Sequence, residues 1–282
     1  MKLAILFSCI FGFFLATHSQ ANTLTDLPYG EAKEQKLDVY LPAKSLNSPI
    51  LFMVHGGAWR IGDKQNRSVV KAKVQRWVKQ GWVFVSINYR MLPKTDPYRQ
   101  AGDVAKALAY VQAHSAEWGA DPGKLVVMGH SAGAHLVSLV LTDAALYDAE
   151  AMKQIQGGIL LDSAALDITK IMSEKHPRLY DRAFGKDPVY WRKNSAIEHL
   201  HSKVKPMLAV CSTQRDNSCA QASAFVKKAR TLRVEAQQLD VDLSHTQINA
   251  NLGNDSHYTE NIEEFIRSLD PRFKDFLAPA TQ

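Results

Sequence analysis

Five consecutive residues, Gly129-His130-Ser131-Ala132-Gly133, constrain this chain more than any others. A short β-branched apolar run, Leu125 to Met128, leads into them, and an apolar pattern too long for a strand leaves them from Ala132 to Leu141. The stretch therefore reads as strand, sharp turn, helix. In a G-x-S-x-G elbow of this kind the serine takes a strained backbone conformation that lifts its hydroxyl above the sheet edge. Glycine is needed two residues before and two after it, because strand and helix backbones approach there too closely for a Cβ. Ser131 is the candidate nucleophile. An ordinary glycine turn around a serine would share the pentapeptide, so the reading depends on the flanking pattern and on finding the other groups that a nucleophilic serine needs.

The rest of the chain repeats the same alternation. Leu37, Val39 and Leu41 alternate with Lys36, Asp38 and Tyr40, which predicts an exposed antiparallel strand at a sheet edge. Ile50 to Val54 and Trp82 to Ile87 are continuous apolar runs, as expected of strands covered on both faces. Helical stripes lie at Val69 to Val78 and Tyr98 to His114, and Asp121-Pro122-Gly123 turns into the central strand. Further strands are expected at Gly157 to Leu161, Pro206 to Ser212 and Val234 to Leu243, with helices at Cys219 to Arg233 and around Ile262 to Leu269. Strands alternating with helices predict an α/β fold with a mostly parallel sheet, helices on both faces, and a site at the strand carboxyl ends. Residues 165–205 break the rhythm as a polar, proline-punctuated segment, read as a cap-like insertion over the sheet. Its Phe184, Tyr190 and Trp191, with Trp59, are candidates for a pocket wall, and each fits the core equally well.

Attack by a serine hydroxyl on a carbonyl builds negative charge on the carbonyl oxygen, which calls for backbone N–H donors fixed in advance. His55-Gly56-Gly57-Ala58-Trp59 follows a buried strand and leaves its small residues' amides bare, so Gly57 and Ala58, with Ala132, are the expected oxyanion hole. The base is expected in a loop after the last strand, where His245 and His257 are the choices. His245 follows that strand directly and is preferred, whereas His257 opens the final helix. His135 is read as helix packing, and His176, His199 and His201 as surface residues. The acid that orients the imidazole is assigned to Asp216, after the penultimate strand. Asp162, at the end of the strand before, is the alternative, and Asp240 and Asp242 are expected to face solvent or a turn. No H-E-x-x-H zinc signature and no dinucleotide fingerprint after a strand are present, so neither metal nor cofactor is expected.

Residues 1–21 comprise Met-Lys, an apolar run from Leu3 to Ala16, and small residues Ser19 and Ala21 beside an expected cut, the pattern of a secretory signal peptide. The run is too short for a membrane span, so export to the periplasm or medium without a stable membrane anchor is the expectation. Cleavage would leave 282 − 21 = 261 residues, enough for one α/β domain spanning 22–282. It would also lower the formal charge from +6 to +5 by removing Lys2. The remaining Lys and Arg are dispersed, which excludes a nucleic-acid surface. Of three cysteines Cys9 would be lost, leaving Cys211 and Cys219 as an even pair in an exported chain. A disulfide between them would stiffen the loop bearing Asp216, and closing so short a loop is worth about 2.5 kcal/mol in the chain-entropy model.

His55-Gly-Gly-Ala-Trp59, Asn88-Tyr89-Arg90, Gly129-His-Ser-Ala-Gly-Ala-His135 and Leu243-Ser-His245 together resemble the α/β-hydrolases of the HGG-containing carboxylesterase type, near the BD-FAE-like esterases and kynurenine formamidases. The likeness covers roughly residues 30–270. It implies an α/β-hydrolase fold and cofactor-free hydrolysis of a small-molecule ester through an acyl-enzyme. An amide or N-formyl hydrolase with the same triad is the second expectation, and a non-catalytic binding protein on the same fold is the third. The acid loop, Ser212-Thr-Gln-Arg-Asp-Asn-Ser-Cys219, departs from the Gly-x-x-Asp form common in such proteins.

Overall fold

The computed structural model of the protein describes residues 22–277. The expected signal peptide, including Cys9, lies outside them. The described chain forms one eight-stranded sheet in the order β1-β2-β4-β3-β5-β6-β7-β8. The strands are β1 (Asn22–Pro28), β2 (Lys36–Leu41), β3 (Ser48–Val54), β4 (Val83–Ile87), β5 (Ala120–His130), β6 (Ile155–Leu161), β7 (Met207–Ser212) and β8 (Ala236–Val241). β1 and β2 run antiparallel to their neighbours, and from β4 to β8 the pairing is parallel. The helices are α1 (Arg67–Lys73), α2 (Pro97–His114), α3 (Ala132–Thr142), α4 (Ala149–Lys153), α5 (Ile168–Ser173), α6 (Arg178–Phe184), α7 (Pro188–Lys193), α8 (Ser218–Thr231), α9 (His245–Asn251) and α10 (His257–Leu269).

Alternation along the central parallel strands β3 and β5 explains their unbroken apolar runs. Ile50, Phe52 and Val54 of β3 and Leu125 and Val127 of β5 pack with α2, α3 and α8 through Val104, Leu108, Leu136, Val140 and Phe225. The intervening Leu51, Met53, Val126 and Met128 face the opposite layer, where Val69, Trp77, Ile248, Ile262 and Phe265 meet them from α1, α9, α10 and the π-helical turn that continues α1. Successive side chains of β3 and β5 thus serve two cores, and from Ile50 to Val54 and from Leu125 to Met128 no position is left for a polar face.

β2 is not the edge strand that its alternation predicts. β1 pairs outside it, and Asp38, expected in solvent, is fully buried. The carboxylate is satisfied by Lys64 Nζ at 2.7 Å, Gln65 Nε2 at 2.9 Å and Asp26 N–H at 2.8 Å. Alternation reported the pleat correctly, but not that the polar side would be covered. The expected turn at Asp121-Pro122-Gly123 is absorbed into an extended β5, whose Ala120 already pairs with Ser48. Residues 165–205 hold α5, α6 and α7, a helical cover that reaches the cavity at the carboxyl ends of the strands through Leu179 and Tyr180 of α6.

Candidate active site

Ser131 stands between β5 and α3 with φ 55° and ψ −120°, the strained conformation expected of it. Its N–H bonds to Leu161 O at 2.9 Å, tying the turn to the end of β6. A Cβ on Gly129 would lie 2.4 Å from Gly133 O, and one on Gly133 2.3 Å from Val54 O, so both glycines are demanded by backbone approach.

β8 ends at Val241, and Ser244 then caps α9 with a reciprocal capping box to Gln247. This makes His245 the first helical residue and turns its side chain back over the sheet. Its Nε2 lies 2.9 Å from Ser131 Oγ and its Nδ1 2.5 Å from Asp162 Oδ2. The structure therefore corrects the expectation for the acid. Asp216 is exposed on the loop after β7 and has no bond to the imidazole, whereas Asp162, at the end of β6, is completely buried and meets it directly. The physical reason is local geometry. Asp162 has φ 53°, which aims its carboxylate across the end of β7, while the residue that the β7–α8 loop turns inward is Arg215.

Burial would raise the Asp162 carboxyl, but four favourable contacts outweigh it: hydrogen bonds from His245, Ser218 Oγ and Ser212 N–H, and the Arg215 charge. They hold it well below the usual carboxylate range, so the group is a permanent anion. Arg215 Nη1 donates to Asp162 Oδ2 at 3.1 Å and to Asp162 O at 2.9 Å, and stands 3.2 Å from His245 Nδ1. Because Nδ1 donates to the same Oδ2, the two nitrogens share an acceptor and do not bond each other.

Gly57, Ala58 and Ala132 line one cavity of about 480 Å³ together with Ser131 and His245. Arg60 and Ile61 N–H both bond Gly57 O at 3.0 Å, and Gly57, Ala58 and Trp59 all have positive φ, so the loop is a tight left-handed turn. Trp59 O, bonded by Leu92 N–H and Gln100 Nε2, fixes its far end. Ala132 opens α3, so its N–H is among the amides that a helix leaves without an internal acceptor.

Two histidines that the motifs contain serve as supports. His130, pushed down to about 3 chiefly by burial and then by His245, is neutral and donates through Nε2 to His245 O at 2.9 Å. Sequence reading missed this role because it needs the β8–α9 turn in place. His135 is packing, as expected: buried and lowered to about 4 by that burial, it accepts from Trp59 Nε1 at 3.1 Å and donates to Asn194 O at 2.8 Å. His257 is exposed beside Glu260 at 2.9 Å, and Asp240 and Asp242 are exposed too. Of the four aromatic residues considered for the pocket, Trp59 lines it and Phe184, Tyr190 and Trp191 do not; Leu179 and Tyr180 of α6 take that place.

Cys211 and Cys219 have sulfurs 2.04 Å apart. Among the described residues these two and Asp240 form the group of metal-type donors close enough to converge on one ion, but sulfurs at bonding distance from each other are not available as thiolates. Among the described residues no helix is long and apolar enough to cross a membrane.

A family model described as BD-FAE matches residues 37–225. A kynurenine formamidase of Danio rerio is 32% identical over 207 residues, which are 72% of this chain and 64% of that protein. The Mycobacterium tuberculosis protein named "Probable carboxylic ester hydrolase LipM" is 33% identical over 225 residues, 73% of this chain and 51% of that one. The chain thus spans between half and two thirds of the length of these relatives. The esterase Est2 of Thermogutta terrifontis superposes with a TM-score of 0.71 at 19% identity, over 94% of this chain and 96% of that one, a likeness of fold.

Proposed function

The chain belongs to the BD-FAE family, and from that premise we propose that it is an exported serine hydrolase of small or medium carboxylic esters. One observation carries the reading: Ser131 Oγ, His245 and Asp162 are linked at 2.9 and 2.5 Å, with Ser131 and His245 lining a cavity and Asp162 buried behind them. Neutral Nε2 takes the serine proton as Oγ attacks the ester carbonyl, and the imidazolium formed is stabilised by the Asp162 anion. The amides of Gly57, Ala58 and Ala132 receive the oxyanion. Nε2 returns the proton to the departing alcohol, leaving Ser131 acylated, and water then repeats the sequence to free the acid. A cavity of about 480 Å³ suits a small or medium substrate. Such a relay would serve no purpose in a protein that only binds.

Amide or N-formyl hydrolysis by the same groups is the second reading, favoured by the 32% identity to a kynurenine formamidase. Rates on matched aryl esters and formamides separate the two. Export, and a Cys211–Cys219 disulfide suited to an oxidising compartment, rest on the pattern of residues 1–21 and on the two sulfurs at bonding distance. The primary test is labelling by a fluorophosphonate: a single adduct on Ser131 is expected, abolished with hydrolysis in Ser131→Ala. An adduct on another serine would overturn the assignment.

A further inference from the structure

We propose that the β7–α8 loop, closed by Cys211–Cys219, is a clamp whose residues Ser212, Arg215 and Ser218 position Asp162 for His245. The inference rests on the triad proposed above. Three loop contacts converge on one side chain: Ser212 N–H reaches Asp162 Oδ1 at 2.9 Å, Ser218 Oγ donates to the same oxygen, and Arg215 Nη1 reaches Oδ2 at 3.1 Å. Oδ1 is thereby occupied by the two serines, and Oδ2 is left to face Nδ1 of His245. Which carboxylate oxygen meets the imidazole is decided by this loop.

Asp162 needs such help. Its φ of 53° is a conformation that a non-glycine residue keeps only where its surroundings over-determine it. Ser212 ends β7 and Ser218 begins α8, so their convergence on one oxygen requires the intervening loop to fold back on itself. The bridge encloses both serines and holds those two element ends together, with Cα atoms 5.0 Å apart. Ser212 Oγ also donates to Leu243 O at 2.6 Å, so the same strand end steadies the segment entering His245. The loop where the acid was expected supplies the acid's supports instead.

The experiment compares Ser218→Ala, Ser218→Thr and Asp162→Asn, singly and combined, and measures wild type and Asp162→Asn before and after reduction by dithiothreitol. Ser218→Ala is expected to lower kcat roughly 10- to 100-fold, the worth of one hydrogen bond to a charged group, with KM little changed. Ser218→Thr should restore most of it. In the Asp162→Asn background, Ser218→Ala should cost under about threefold more, since it acts through that carboxylate. Reduction should lower kcat in wild type and do little in Asp162→Asn. If Ser218→Ala leaves kcat intact, or its loss multiplies with that of Asp162→Asn, the clamp is wrong while the triad stands. A nearly silent Asp162→Asn would instead overturn the triad, and the clamp with it.

Discussion

Two aspartates one strand apart divide the proposed chemistry unequally. Losing the acid leaves the imidazole in the wrong tautomer, at a cost on the order of 10⁴ in kcat in the best-studied triad. Asp162→Asn should approach that loss, whereas the exposed Asp216→Asn should change kcat less than about twofold. Steady-state kinetics on one ester substrate decide it, and a crippled Asp216→Asn beside an active Asp162→Asn would reverse the correction. A second residue sets a pH dependence of stability. Lys73 is wholly buried, its Nζ bonded to Asn249 O at 2.6 Å and Asn249 Oδ1 at 2.9 Å, and burial pushes it down to about 7. Its unfolded value is about 10.4, so between these two the unfolded chain holds the extra proton and raising the pH favours the fold. Thermal midpoints should rise from pH 7 to 9.5, and Lys73→Met should flatten that rise; an equal slope in both proteins would remove Lys73 as its cause.

At the scale of elements, the oxyanion loop and the helical cover are tied through α3. Trp59 of the loop donates to His135 of α3, which donates to Asn194 at the end of α7. Trp59 also lies edge-on to Phe184 of α6 at 4.9 Å. His135→Leu would strand a buried indole N–H and the Asn194 carbonyl together, costing about 1–3 kcal/mol for each group left unpaired. Urea denaturation should register the loss, and KM should rise as the loop and cover lose their common anchor. An unchanged midpoint would mean that both groups find other partners.

For the whole molecule, the parallel sheet gathers strand ends on one edge, and everything proposed to be chemical sits there: the loop after β3, the elbow after β5, Asp162 after β6, the clamp after β7 and His245 after β8. The proposed bridge at that edge would tie up both cysteines that follow Ala21, and Cys211 itself packs in the core that α2, α3 and α8 share with the sheet. The chain beginning after Ala21 should therefore show no thiol when denatured without reductant and two after reduction. Two thiols before reduction would refute the disulfide.

The elbow, the loop proposed to receive the oxyanion and the histidine proposed as base could be singled out in the sequence because each is a local device. Gly129 and Gly133 record a backbone approach within one turn, His55 to Trp59 carry their own bare amides, and the Ser244 cap makes His245 the first residue of the helix that follows the last strand. Continuous apolar runs likewise encoded a sheet buried on both faces. The proposed acid was not legible, because Asp162 directly after β6 and Asp216 in the loop after β7 both lie at the carboxyl ends of strands; the left-handed turn at Asp162 and the inward Arg215 separate them. Nor could alternation in β2 show that Asp38 would be buried, since β1, Lys64 and Gln65 arrive from elsewhere in the chain. Local backbone demands leave marks at fixed spacing, whereas the partner of a side chain across neighbouring strands is fixed only when the strand ends are brought side by side.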